Sequence, residues 1–365
     1  MKDGQLDLTY SRVKDEEIEY LDSYRGNTSL TLLNLSENLL TTLCFQQLNS
    51  LISDLPSLKT LNLSMNRFSD EISIVIKELK NKKLTCLDLT RVNAGTEAAN
   101  EISNLILHMS SLSKLCIGSN RFNRTDLENI IDALKENESV QSLYLQSISK
   151  KMSREFILST KNLTCLNINS NEINDAMVLD ILKALNDKEG FRKLMLGYNP
   201  IGDNGLFALA DWMNKCTLLK TIDISCLGNV TSEGILYFIR KLKKNESVED
   251  VNISYNRFSF GDHGALEIGN CLKLNRNLRK LNIGFNNIKS GLEDVLEGLQ
   301  KNMYLQELHY NGNNVGFHNL IERELYRLKG FKKIKLAVLC MHKSKSEPLS
   351  LLPRRLLIYL LDFLE

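Results

Sequence analysis

The stretch from Phe191 to Met213, FRKLMLGYNPIGDNGLFALADWM, changes its hydrophobic period halfway along. Leu194 and Leu196 stand two apart, on one face of a strand, with Phe191 leading into it. Past the middle the period lengthens: Leu206, Leu209 and Met213 recur at three and four, the face of a helix. Between the halves lie Asn199, Ile201, Gly202 and Asp203. An asparagine at a bend can both donate to and accept from backbone groups that the turning chain leaves unpaired. Ile201 is expected to point inward, Gly202 to ease the turn and Asp203 to cap the first turn of the helix. A unit of one strand, one bend and one helix cannot bury its apolar side alone, so it needs copies on both sides.

The copies are present. Apolar pairs two apart begin at 33, 61, 87, 115, 143, 166, 194, 222, 251, 281 and 308, with separations of 28, 26, 28, 28, 23, 28, 28, 29, 30 and 27. Asparagine follows the pair at Asn38, Asn66, Asn120, Asn171, Asn199, Asn256, Asn286 and Asn313. Val92, Ile148 and Leu227 take its place in the other three of these eleven units. Leu6 and Leu8 stand 27 before Leu33 and Leu35, so residues 1–29 read as a degenerate capping unit, with a short amphipathic helix from Asp15 to Arg25. The inward residues expected of the helices include Phe45, Leu48 and Ile52. Phe68, Phe122, Ile173, Ile201, Phe258 and Ile288, each two past its asparagine, should join them in the core.

The pattern LxxLxLxxN followed by a helical segment, at about 28 residues per unit, resembles the leucine-rich repeat of the ribonuclease-inhibitor type. The resemblance implies an α/β solenoid, a horseshoe with a parallel sheet on the concave side and helices on the convex side. Repeats fill residues 30–340, and residues 341–365 form a separate carboxyl-terminal segment. It also implies a binding surface more than a chemistry.

Composition agrees with such a role. With 46 basic and 44 acidic residues there is no overall field for nucleic acid or anionic lipid. The eight cysteines include no CxxC, and Cys86 and Cys165 share a repeat position in units too far apart to bridge, so reduced thiols in a cytoplasmic setting are expected. The start, MKDGQLDLTYSRVKDEE, does not read as a secretory signal, and no stretch is long enough to span a bilayer. The sequence contains no GxSxG, GxxxxGK[ST], HExxH or GxGxxG. His108, His263, His309, His318 and His342 form no ligand set, and neither Cys116 nor Cys165 has a basic neighbour and histidine partner to activate it. No enzyme activity, metal or cofactor is therefore expected.

What remains is an ordered array of exposed residues. The third, fifth and seventh positions of the repeat face the inside of the curve and the eighth lies at its rim. The later units bring Tyr144, Met195, Tyr198, Tyr255, Phe285 and His309 to this surface, with Lys193, Asp250, Lys280 and Glu307, whereas the first four show no such cluster. These residues are the candidate contacts for a protein partner, unless the rim aromatics fold over the turn and pack locally.

The abundance of asparagine, lysine and isoleucine, set on this repeat type, resembles the leucine-rich-repeat effectors that intracellular bacteria of the Legionella kind send into host cells. Two other roles stay open. The Ran-type GTPase activators have the same repeat, but that resemblance asks for an acidic tail and this one is basic and apolar. An actin-capping or structural role is the other. The last residues, LPRRLLIYLLDFL from Leu352, resemble the opening of an F-box, the docking element for a ubiquitin-ligase adaptor, through Leu352, Pro353, Leu356, Leu357, Leu360 and Leu364. Arg355 stands where that family prefers glutamate, and the chain covers about a third of such a domain. The same leucines would equally suit an edge cap packed on Phe331, Ile334 and Leu336.

Overall fold

A computed structural model describes residues 4–148, 153–256, 259–313 and 318–328. The expectations for Phe258, for Phe331, Ile334 and Leu336, for His342 and for the F-box-like residues Leu352 to Leu364 fall outside those residues. Among the described residues, twelve strands of three residues each form one sheet in sequence order. They are β1 (Gln5–Asp7), β2 (Leu32–Asn34), β3 (Thr60–Asn62), β4 (Cys86–Asp88), β5 (Lys114–Cys116) and β6 (Ser142–Tyr144), followed by β7 (Cys165–Asn167), β8 (Lys193–Met195), β9 (Thr221–Asp223), β10 (Asp250–Asn252), β11 (Lys280–Asn282) and β12 (Glu307–His309). Every neighbouring pair is parallel and in register on the repeat's first paired leucine, as where Leu166, Leu194 and Ile222 align. The fold is a leucine-rich-repeat α/β solenoid.

The helices return the chain along the other side: α1 (Phe45–Ser53), α2 (Ser73–Glu78), α3 (Thr96–His108), α4 (Arg124–Glu136), α5 (Ser153–Ser159), α6 (Asp175–Leu185), α7 (Asp203–Lys215), α8 (Ser232–Leu242), α9 (Gly261–Leu274) and α10 (Leu292–Lys301). Leu194, Leu196, Ile201, Leu206, Leu209 and Met213 are all fully buried, so both halves of the opening stretch face one core. Truncating one of these to alanine costs about 2–5 kcal/mol. The first unit is a full member of the sheet, because β1 pairs with β2 along its whole length. Its helical segment, Asp15–Tyr24, is a 3-10 helix that buries Ile18 and Leu21.

The asparagines hold the bends through bonds that cross between units. Asn199 Nδ2 donates to the carbonyls of Leu196 at 2.8 Å, Gly197 at 3.2 Å and, in the preceding unit, Ile168 at 3.1 Å. Its Oδ1 accepts from the backbone N–H groups of Asn171 at 2.9 Å and Ile173 at 3.0 Å. Units without an asparagine keep the same bond to the next one: Val92, Ile148 and Leu227 donate their N–H to the following asparagine at 3.1, 2.8 and 2.9 Å, as Asn171 and Asn256 do at 2.9 and 2.7 Å. A second ladder closes the helices, where Asn275 Nδ2 reaches Leu242 O at 2.8 Å and Asn302 Nδ2 reaches Leu272 O at 2.8 Å.

Three expectations need correction. Asp203 does not cap its own helix: its carboxylate accepts from the N–H and hydroxyl of Thr231 in the next unit, at 2.8 and 2.6 Å. Gly202 occupies the cap position, and its N–H is held at 2.6 Å by Asp175 of the unit before. As the first residue of α7, directly after the cap position held by Gly202, Asp203 turns its carboxylate sideways to the start of the neighbouring helix. Phe122 is only half-buried, lining a cleft beside α4 with Ile148 and Glu155. The cleft lies where the unit of 23 residues carries the seven-residue α5, although β6 and β7 remain in full register. Finally, the early units do expose apolar side chains on the rim, Tyr10 and Met65, although Glu37 separates them.

Candidate binding surface

The eighth residue of every described unit has a left-handed backbone. The run is Tyr10, Glu37, Met65, Arg91, Ser119, Ser147, Ser170, Tyr198, Cys226, Tyr255, Phe285 and Gly312, with φ between 50° and 75°. At this residue the inter-strand hydrogen bonding continues past the strand end, as from Tyr198 N to Ser225 O at 2.8 Å and from Phe285 N to Asn311 O at 2.8 Å, and the chain then bends. Glycine suits this conformation, and other residues pay about 1–2 kcal/mol for it. Only Gly312 is a glycine. Tyrosine at 198 and 255 and phenylalanine at 285 therefore stand against the local backbone preference.

These aromatics do not enter the core. Tyr198, Tyr255 and Phe285 are 51%, 46% and 43% exposed. The rings of Tyr255 and Phe285 lie parallel, with centroids 4.4 Å apart and 9° between planes. Phe285 in turn covers Gly312, where an added Cβ would strike its ring. The rings support one another along the rim while keeping outer surface free, so the local-packing alternative describes only part of their area. Burial, then the charges of Cys226, Tyr255 and Asp223, push the Tyr198 hydroxyl above its ordinary pKa.

The concave lining divides by use. In eight of the twelve strands the fifth repeat position is Asn or Asp, whose Oδ1 accepts the backbone N–H two residues on, as in Asp223 with Ser225 at 2.9 Å and Asn252 with Ser254 at 3.1 Å. Those side chains serve the fold. The four exceptions are Cys116, Tyr144, Met195 and His309, three of them among the predicted contacts.

The predicted residues fall into two groups. Glu307 holds both Lys280 and His309 at 2.7 Å, and both contacts keep its carboxyl below the usual range. Asp250 is half-buried nearby, and its carboxylate has no hydrogen bond or ion pair among the described residues. Burial raises its pKa; Glu307 and Asp223 add to the rise while Lys280 and Lys193 oppose it. Lys193 is exposed and Met195 half-buried one unit short of Asp223. Tyr144 lies apart, four strands from β10 and so about 19 Å away at ~4.8 Å per strand. Its ring carries Lys114 Nζ at 4.4 Å, and the Cys165 thiol approaches its hydroxyl at 3.7 Å. Burial raises the pKa of Cys116 and Cys165, which disfavours the reactive thiolate at both.

Sequence reading missed Asp223, Cys226 and Lys114. Asp223 and Cys226 sit in one of the three units lacking an asparagine, the one with Leu227, and the column itself was the available signal: acids in the third and fifth positions of adjacent strands share a face. The seven cysteines among the described residues are free. Among the described residues no helix is long and apolar enough to cross a membrane, and no group of three or more His, Cys, Asp or Glu is placed to hold a metal ion.

Known proteins place this architecture. A family model described as Leucine Rich repeat matches residues 54–74, 161–176, 191–210 and 274–291. The chain is similar to human leiomodin-3, 29% identical over 121 residues, which is 33% of this chain and 21% of leiomodin-3. It is similar to tubulin-folding cofactor E of Arabidopsis thaliana, 26% identical over 270 residues, covering 63% of this chain and 49% of that protein. The chain thus spans between a fifth and a half of these relatives. Among solved structures, the yeast complex of Rad7 and Elc1 contains a chain that superposes with a TM-score of 0.54 at 16% identity, over 84% of this chain and 74% of that one. That likeness concerns the fold.

Proposed function

We propose that this chain is a non-catalytic scaffold that holds a protein partner against the concave side and rim of the units from Leu143 to Tyr310. The observation that carries this reading is the parallel, half-exposed stack of Tyr255 and Phe285, with Tyr198 two units away, at backbone positions that favour glycine. Rigid aromatics that the core does not use are the usual anchors of a protein interface, where truncating one costs about 2 kcal/mol or more of binding. The test is capture from a eukaryotic lysate by the whole chain and by the variant Tyr198→Gly with Tyr255→Gly. Partners retained by the first and lost by the second support the reading; partners held equally by both refute it.

The finer reading, a bacterial effector acting on a host protein, draws its support from the asparagine, lysine and isoleucine bias and the repeat type. Its test is a translocation reporter fused to the chain in an infecting bacterium, and absence of signal in host cells would sink it. An adaptor role rests on the stretch from Leu352 to Leu364. If it holds, capture of the ubiquitin-ligase adaptor disappears when residues 347–365 are removed; capture that persists contradicts it.

A further inference from the structure

The unit of 23 residues pairs a long helix with a short one. α4 has thirteen residues and α5 seven, so α4 is longer by about 9 Å at ~1.5 Å per residue. A cleft of about 680 Å³ lies there, a volume in the range of pockets that hold ligands. Leu127 and Ile131, one turn apart on α4, line it together with Phe122 and Ile148. The residue two past the asparagine is fully buried at Phe68, Ile173, Ile201 and Ile288, whereas Phe122 in the same position is half-buried. The apolar lining therefore lacks the cover that other units receive.

The polar lining holds one unmatched charge. Arg124 is bonded to Glu128 at 2.8 Å and Lys135 to Asp132 at 2.6 Å, both pairs open to water. Glu155 of α5 has no hydrogen bond or ion pair among the described residues, and its Oε2 is buried from solvent. Asp126, 1% exposed, accepts from the N–H of the lining Asn123 at 2.8 Å through Oδ2, while its Oδ1 is also buried without a partner. Among the described residues these are the two buried carboxylate oxygens that no donor reaches, and both belong to this junction. A buried carboxylate oxygen without a donor costs free energy that an incoming cation recovers. Lysine and arginine bring that charge on an apolar stem, which can lie on an apolar wall. A neutral side chain fills the cleft and leaves Glu155 unmatched, and an acidic one is repelled by it.

We propose that this cleft is a second docking surface, on the helical side of the solenoid, for a protein segment that presents a basic side chain beside apolar ones. The cation pairs with Glu155, and the apolar neighbours cover Phe122, Leu127 and Ile148. The surface uses none of the concave or rim residues, so it stands apart from the scaffold reading above.

The experiment selects random heptapeptides displayed on phage against the whole chain, after depletion on the Glu155→Gln variant, and then measures binding of one enriched synthetic peptide. Enriched peptides should carry lysine or arginine next to apolar residues. Binding should weaken at least tenfold in Glu155→Gln and less than twofold in Asp132→Asn, whose charge Lys135 already matches. It should be unchanged by Tyr198→Gly with Tyr255→Gly. Glu155→Gln should melt no lower than the parent, since Glu155 has no bond to lose among the described residues. No enrichment after depletion, enriched peptides without a basic residue, or an equal loss in Asp132→Asn overturns the inference. A lower melting temperature for Glu155→Gln overturns it too, because the chain itself would then be using that carboxylate. Each of these failures leaves the scaffold reading to its own capture experiment.

Discussion

Replacing Asn199 tests how the units are joined. Its side chain is 1% exposed and makes five hydrogen bonds, three donated to the carbonyls of Ile168, Leu196 and Gly197 and two accepted from the N–H groups of Asn171 and Ile173. Asn199→Ala leaves the two buried N–H groups without an acceptor, at roughly 1–3 kcal/mol each, and the carbonyls with less. A loss of about 4 kcal/mol follows. In a solenoid such a loss acts on the coupling between neighbours, so the units around α6 and α7 should separate from the rest in urea unfolding followed by hydrogen exchange. Asn199→Asp sharpens the test: it keeps an acceptor for the N–H groups but turns the donor into an oxygen facing three carbonyls. It should be as damaging as alanine at neutral pH and should recover part of the loss when the carboxyl protonates in acid. A loss below about 1 kcal/mol for alanine, or an aspartate variant as stable as the parent at pH 7, would refute the reasoning.

Three other outcomes are expected. Asp250→Asn should stabilise the chain at neutral pH: the folded carboxyl has a raised pKa, so the parent loses stability as pH rises from the ordinary carboxylate value through the raised one. The gain in urea midpoint should vanish below the ordinary value; a gain independent of pH contradicts the assignment. Tyr198→Gly should leave thermal stability within about 1 kcal/mol of the parent, because relief of the left-handed strain offsets the lost ring contact and the added freedom of the unfolded chain. Thiol titration of the denatured, unreduced chain should count all eight cysteines of the sequence, and six or fewer would be inconsistent with free thiols.

The fold was legible because one element repeats. The paired leucines mark every strand, and β2 to β12 all centre on the first residue of a pair read from the sequence. Bonds between units were not legible. Nothing within a single unit says that Asp203 serves Thr231 or that Asp175 serves Gly202, since those contacts depend on how closely adjacent helices start. The rim residues Tyr198, Tyr255 and Phe285 were found by column reading, but their left-handed backbone and the stack of the last two were not, since both depend on how neighbouring units bond and pack side by side. Tyr144 was grouped with them by column, although four strands separate it from β10.

The most direct test of the scaffold account is photo-crosslinking. A photoreactive phenylalanine placed at position 285, on the rim, is compared in a eukaryotic lysate with one at Leu107, which is 51% exposed on α3. The account predicts a discrete protein adduct at 285, abolished by Tyr198→Gly with Tyr255→Gly, and none at 107. Adducts formed at 107 and absent at 285 would contradict it.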